Sequence, residues 1–197
     1  MSIEVDILRL GGLQPIQGDA FRPMTEAELH EIEAVYNSTM PLDVKAFLKT
    51  YGASSFKRRV SVTPVDPFPS HISSTGADSL DAFYGVTDAK LRAYALSFRI
   101  QMYRRRLPKN LLPIAGNGNG DQYCVGMSGH QVGKILFWDH HNEFDEEDYL
   151  EELGIDLENL DDEDRPEIPS EAWFQNVYLI AASFEDMFAR MEVVSEH

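Results

Sequence analysis

The chain has 197 residues, a net charge of −16 and a single cysteine, Cys124. Its length suits one domain, since most domains fall at roughly 50–250 residues. The lone cysteine excludes an intrachain disulfide and points to a reducing compartment. The acidity disfavours direct nucleic-acid binding, because it repels phosphates and no basic, aromatic-rich surface offsets it.

The opening segment, MSIEVDILRLGG, sets Glu4 and Asp6 before any basic residue. It lacks the basic and apolar regions of a secretion signal, and no apolar run approaches the ~20 residues that cross a bilayer. A cytoplasmic protein with no membrane association is expected. Ile3, Val5, Ile7/Leu8 and Leu10 predict a short edge strand ended by Gly11-Gly12, and Pro15, Gly18 and Pro23 an irregular connection after it.

The segment TEAELHEIEAVYN begins with a capping box, Thr25 and Glu28, and sets Leu29, Ile32 and Tyr36 on one helical face, with Val35 beside them. Pro41 then suits the start of a second helix, and Gly52 its stop. Leu42, Val44, Phe47, Leu48 and Tyr51 form the apolar side of that helix. Together the two make an αα-hairpin. Val60 and Val62 alternate within Arg58–Val65 and predict a strand. His71–Asp78 reads as a surface loop, and Ala82–Val86 as a short strand or a turn. From Asp88, the spacing of Leu91, Tyr94, Ala95, Phe98 and Met102 predicts a long helix ended by Pro108. Arg99, Arg104, Arg105, Arg106 and Lys109 make it the most basic part of the chain.

Leu111–Ala115 is interrupted by Pro113, which suits a sheet edge or a strand start. A glycine-rich loop, Gly116–Asp121, leads into a hairpin whose strands are expected at Tyr123–Met127 and Lys134–Trp138. Ile135–Trp138 is apolar on both faces and should be covered on both sides. Thirteen of the 33 acidic residues lie between Glu143 and Asp164, with no basic residue among them. Without that segment the net charge is −3, so the acidity is largely local. Tyr149, Leu150, Leu153, Ile155, Leu157 and Leu160 set apolar anchors among these acids. The segment can dock on a basic partner or fold back onto the Arg99–Lys109 region. Ala172–Ala182 reads as strand or helix, and Ser183 caps a last helix with Phe184, Met187, Phe188 and Met191 inward.

Chemical motifs are sparse. The glycines precede a strand rather than a helix, and Asp121 would repel phosphate, so a turn is expected instead of a phosphate cradle. Asp139, His140 and His141, with Asp121 and Asp145, are proper metal ligands. Adjacent histidines on one strand point to opposite sides, however, and no second ligand set exists, so no metal site is expected. Cys124 lies within a predicted strand, where an inert buried thiol is the usual state. No nucleophile elbow occurs. The chain is not expected to be an enzyme.

Four segments in order resemble the SMI1/KNR4 family of the SUKH superfamily: LHEIEAVYNSTMPLDVKAFLKTYGA, LLPIAGNGNGDQYCVGM, GKILFWDHHNE and IAASFEDMF. The first sets Glu33, Leu42, Lys45, Phe47, Leu48 and Gly52 in the family's pattern. The middle two supply Pro113, Ile114, Ala115, Gly120, Asp121, Trp138, Asp139 and His140. Of these, Pro113, Gly120, Asp121, Trp138, Asp139 and His140 are taken as the structural family motif. The chain departs from shorter members in residues 1–24, in Tyr51–Leu111 with its extra helix, and in the acidic insertion Asp145–Pro169.

The resemblance implies an α+β fold in a single domain, with a mostly antiparallel mixed sheet flanked by helices. It implies an N-terminal extension at 1–24 and a family domain at 25–197 with an acidic insertion at 143–169. It also implies a protein-binding scaffold without catalysis or cofactor. Bacterial members are similar to immunity proteins that bind and neutralise a cognate toxin, and fungal members to regulatory adaptors. The expected function is immunity towards a toxin domain of basic charge, with a housekeeping adaptor as the alternative. A hydrolytic or metal enzyme at Asp121, Asp139 and His140 is the third reading. The expected partner surface is acidic: Glu146, Glu147, Asp148, Glu151, Glu152, Asp161, Asp162 and Asp164.

Overall fold

The two apolar runs of the central hairpin form adjacent antiparallel strands, β7 (Gln122–Gly126) and β8 (Ile135–Trp138), in the computed structural model, which describes residues 2–142, 144–155, 168–169 and 171–194. They belong to a seven-stranded sheet. Its other members are β1 (Leu13–Pro15), β2 (Ser54–Phe56), β5 (Ala82–Phe83), β6 (Leu111–Gly116) and β9 (Val177–Ala181), in the order β1-β2-β5-β6-β7-β8-β9. A second sheet joins β3 (Val60–Val62), β4 (Asp78–Leu80) and β10 (Met191–Val193), with β3 in the middle. The pairings of the described strands in both sheets are antiparallel. The α+β expectation holds.

Strand alternation divides the hairpin between two cores. Tyr123, Val125, Ile135 and Phe137 join the main core, while Cys124, Leu136 and Trp138 face a second cluster with Tyr103, Leu107 and Leu111. All four β8 residues are buried, as their two-faced apolarity requires. β6 lies at the middle of the large sheet, not at an edge. Pro113 is tolerated there because the β6–β7 register shifts between Pro113 and Ala115, and such a bulge relieves the missing ladder donor.

The helices cover these faces. The αα-hairpin forms as expected, as α2 (Glu26–Tyr36) and α3 (Leu42–Thr50), with both halves of the Thr25–Glu28 capping box in place. Gly52 ends the second helix with a positive φ, and a side chain there would collide with the Arg22 carbonyl. From this hairpin, Phe47 meets the rings of Phe83, Phe184 and Phe188, the last two on α6 (Phe184–Ala189). Truncating so central a ring costs about 3–5 kcal/mol. Ser183 caps α6 by accepting the Asp186 N–H. Its continuation does not stay helical, and Met191 is buried in β10.

Two expectations are corrected. Residues Ile3–Arg9 form a helix, α1, rather than a strand. Val5 is exposed, and the buried set is Asp6, Ile7 and Leu10, spaced for a helix and not for a sheet. The irregular connection after it contributes β1, which pairs with β2. The long helix after Asp88 is broken. A 3-10 turn at Ala89–Tyr94 gives way at Ala95, which is extended, to α4 (Leu96–Tyr103). The break follows from a tertiary tie: Gly85 donates to the Tyr94 carbonyl and accepts from the Leu96 N–H. It resets the helix phase, so Leu96, Ile100 and Tyr103 are buried while Met102 is exposed.

Candidate functional site

The polar end of the hairpin is built by a change of backbone at Asp139. The chain leaves β8 there and turns at once into a 3-10 helix, His140–Asn142. Strand alternation therefore does not govern the two histidines. Their rings lie on one side, with centroids 3.9 Å apart, so the expectation that they diverge is wrong. The other half of the corner is the glycine loop, where Gly118 and Gly120 take positive φ as a turn requires. The His140 ring packs so closely on Gly120 that a Cβ there would lie 3.1 Å from it.

Two buried carboxylates organise this corner. Asp121 Oδ1 accepts the His140 backbone N–H at 3.0 Å and lies 2.6 Å from His140 Nδ1. Its Oδ2 accepts Asn117 Nδ2 at 2.7 Å. Asp139 Oδ1 accepts the His141 N–H at 2.9 Å, with His141 Nδ1 at 3.4 Å. Asp139 Oδ2 is held by His71 Nε2 at 2.9 Å and Asn142 Nδ2 at 2.8 Å. Burial pushes the Asp139 carboxyl up, but the bonds from His71, Asn142 and the His141 backbone, with the His71 charge, hold it below the ordinary carboxylate range. Nearby, Asp78 is raised, first by burial and also by the charge of Asp121, against bonds from Asn117, Ser79 and Tyr123. One ligand atom from each of Asp121, Asp139, His140 and His141 lies within 4.8 Å of the others. Cys124 is fully buried and its thiol is pushed up by burial, which leaves no thiolate for nucleophilic chemistry.

The acidic segment begins beside this corner as an ordered helix, α5 (Glu146–Glu152). Asp145 caps it by accepting the Glu147 and Asp148 N–H groups at 2.8 and 3.2 Å. Buried Phe144 and Leu150 anchor it, and the Phe144 ring meets Tyr149 and Trp173. Glu147, Asp148, Glu151 and Glu152 are exposed and Glu146 is half-buried. An open groove of about 1500 Å³ is lined by Glu146 and Glu147 together with Arg104, Arg105, Lys109 and Lys134. Five of the eight expected partner-binding acids thus sit on one short helix, and Asp161, Asp162 and Asp164 lie outside the described residues.

The model of the SMI1 / KNR4 family (SUKH-1) matches residues 23–190. The chain belongs to this family. Among curated proteins it is similar to the SPbeta prophage-derived uncharacterized protein YokK of Bacillus subtilis (strain 168), at 29% identity over 135 residues, which covers 64% of this chain and 67% of the relative. No solved structure matches.

The residues of the SMI1/KNR4 motif fall into two groups in space. Pro113 marks the bulge in β6, and Trp138 fills the second core, where Tyr103 meets it edge-on and Arg106 stacks on it. Gly120, Asp121, Asp139 and His140 make the strand-end corner. Sequence reasoning missed His71, Asn142 and Asn117, which orient the two carboxylates. His71 reaches Asp139 across 68 residues, and no local pattern marks such a contact.

Proposed function

We propose that this chain is a non-enzymatic binding protein of the cytoplasm that captures and neutralises a cognate bacterial toxin domain of basic charge. One observation carries the reading. Helix α5 presents Glu147, Asp148, Glu151 and Glu152 to solvent on a scaffold fixed by Phe144, Leu150 and the Asp145 cap. A rigid acidic surface accelerates encounter with a basic partner by roughly 10–10³-fold and loses little entropy on docking. Family membership agrees with a binding role, and the prophage origin of YokK favours defence over a housekeeping adaptor. In this reading residues 1–24 are an extension that buttresses the family domain at 25–197, and the insertion at 143–169 supplies the partner surface.

The test mixes the purified chain with the C-terminal domain encoded by the adjacent gene. Calorimetry should show a stoichiometric complex, and the domain's activity should fall with the same stoichiometry. Absence of both would remove the reading.

A further inference from the structure

We propose that Asp121, Asp139, His140 and His141 bind a divalent transition-metal ion, with zinc the best fit to the ligand set. The four side chains come from the two segments that flank the β7–β8 hairpin at its open end, the glycine loop and the turn after β8, and their ligand atoms lie within 4.8 Å of one another. Metal–ligand bonds of about 2.0–2.2 Å in a tetrahedron put neighbouring ligands about 3.3–3.6 Å apart. Asp139 Oδ1 and His141 Nδ1 stand at 3.4 Å. Asp121 Oδ1 and His140 Nδ1 are at 2.6 Å, the length of a hydrogen bond that an ion would replace.

The surroundings match those of metal ligands. Each carboxylate has one oxygen turned to a histidine of the cluster and the other fixed from outside. Asn117 holds Asp121 Oδ2, and His71 and Asn142 hold Asp139 Oδ2. Such outer partners orient ligands and raise their basicity. A turn held by hydrogen bonds alone needs no second imidazole, yet His141 is brought against the same carboxylate whose backbone bond it already makes. Among the described residues, the ion pairs of Asp121 and Asp139 are with histidines. A dication facing two carboxylates and two neutral imidazoles balances this buried charge. Mixed nitrogen and oxygen ligands argue against calcium and magnesium, which take oxygen, and the absence of thiolate argues against softer ions. Four protein ligands leave no open position, so the ion is structural. It clamps the glycine loop to the exit of β8, just before the acidic helix, whatever partner that helix meets.

The test uses the full chain without a polyhistidine tag, stripped with chelator and titrated with zinc chloride in a calorimeter. One ion per chain is expected, with a rise in melting temperature. Cobalt should give the intense visible bands of a tetrahedral site. His141→Ala removes an exposed ring and should fold normally; it and His140→Ala should each weaken binding by at least about tenfold. His71→Ala, which removes a partner of the outer oxygen of Asp139 and of the Asn142 amide, should weaken it by a similar factor. His130→Ala, at an exposed turn, should change nothing. No saturable binding, or binding unaltered by the His140 and His141 substitutions, would overturn the proposal.

Discussion

Asp121 Oδ1 receives both the backbone N–H and the ring Nδ1 of His140, at 3.0 and 2.6 Å, across 19 residues of chain. One carboxylate oxygen therefore joins the glycine loop to the end of β8. Asp121→Ala should destabilise the protein by about 1–3 kcal/mol in urea denaturation, since it strands buried donors. Gly120→Ala attacks the same junction from the backbone. The residue has φ 116°, and its new Cβ would press on the His140 ring. A loss of about 1–3 kcal/mol is expected, and an unchanged midpoint for both variants would contradict this account of the corner.

Arg9 fixes the N-terminal helix to the far end of the chain. Its Nε donates to Asp6 Oδ1, Nη1 to the Met191 carbonyl and Nη2 to the Phe188 carbonyl, each at 2.9 Å. The Phe188 bond satisfies a carbonyl in the last turn of α6, where a cation is also favoured by the helix dipole, and the Met191 bond holds the first residue of β10. Arg9→Ala leaves Asp6 buried without this partner and should cost about 2–4 kcal/mol. Hydrogen exchange should rise at both α1 and β10. A change confined to α1 would show that the clasp does not couple them.

Glu33 supports the link between α2 and α3. It accepts the Met40 N–H at 3.0 Å and pairs with Lys45 at 3.3 Å. The Met40 bond, with Lys45 and against the effect of burial, holds its carboxyl below the ordinary value of 4.5. A depressed carboxyl adds stability that is present above its ordinary value and lost as pH falls through its folded value. Glu33→Gln should therefore cost about 1 kcal/mol at neutral pH. The difference from the parent chain should close as the pH drops below 4.5. A difference that persists at low pH would mean that the amide, not the missing charge, causes the loss.

The four exposed acids of α5 can be neutralised together as Glu147→Gln, Asp148→Asn, Glu151→Gln and Glu152→Gln. The Asp145 cap and the Phe144 and Leu150 anchors stay in place, so the fold should hold. Stopped-flow association with the partner domain should slow at low salt, and its dependence on ionic strength should flatten, while dissociation changes less. Equal association rates for parent and variant at low salt would move the interface elsewhere.

What was legible in the sequence was mostly local. The Thr25–Glu28 box and the Ser183 cap each act within three residues, and both form as read. The doubly apolar Ile135–Trp138 announced its own burial. The failures share a long-range cause. Ile3, Val5 and Ile7 alternate like a strand, but Arg9 reaches residues 188 and 191 and helps seat a helix. The pattern after Asp88 reads as one helix, and only the bonds from Gly85 break it. At the corner, strand alternation would part the histidines only if it ran three residues past the end of β8. The strand ends at Trp138, and the turn that follows sets two histidines together that a strand would part.

The central claim is that this SMI1/KNR4 chain protects by binding. Its most direct test is the growth of cells that express the C-terminal domain encoded by the adjacent gene, with and without this chain. The account predicts arrest without it, full growth with it and a co-purifying complex, with protection weakened by the four-acid variant. Arrest that persists with the chain present, and no complex, would contradict it.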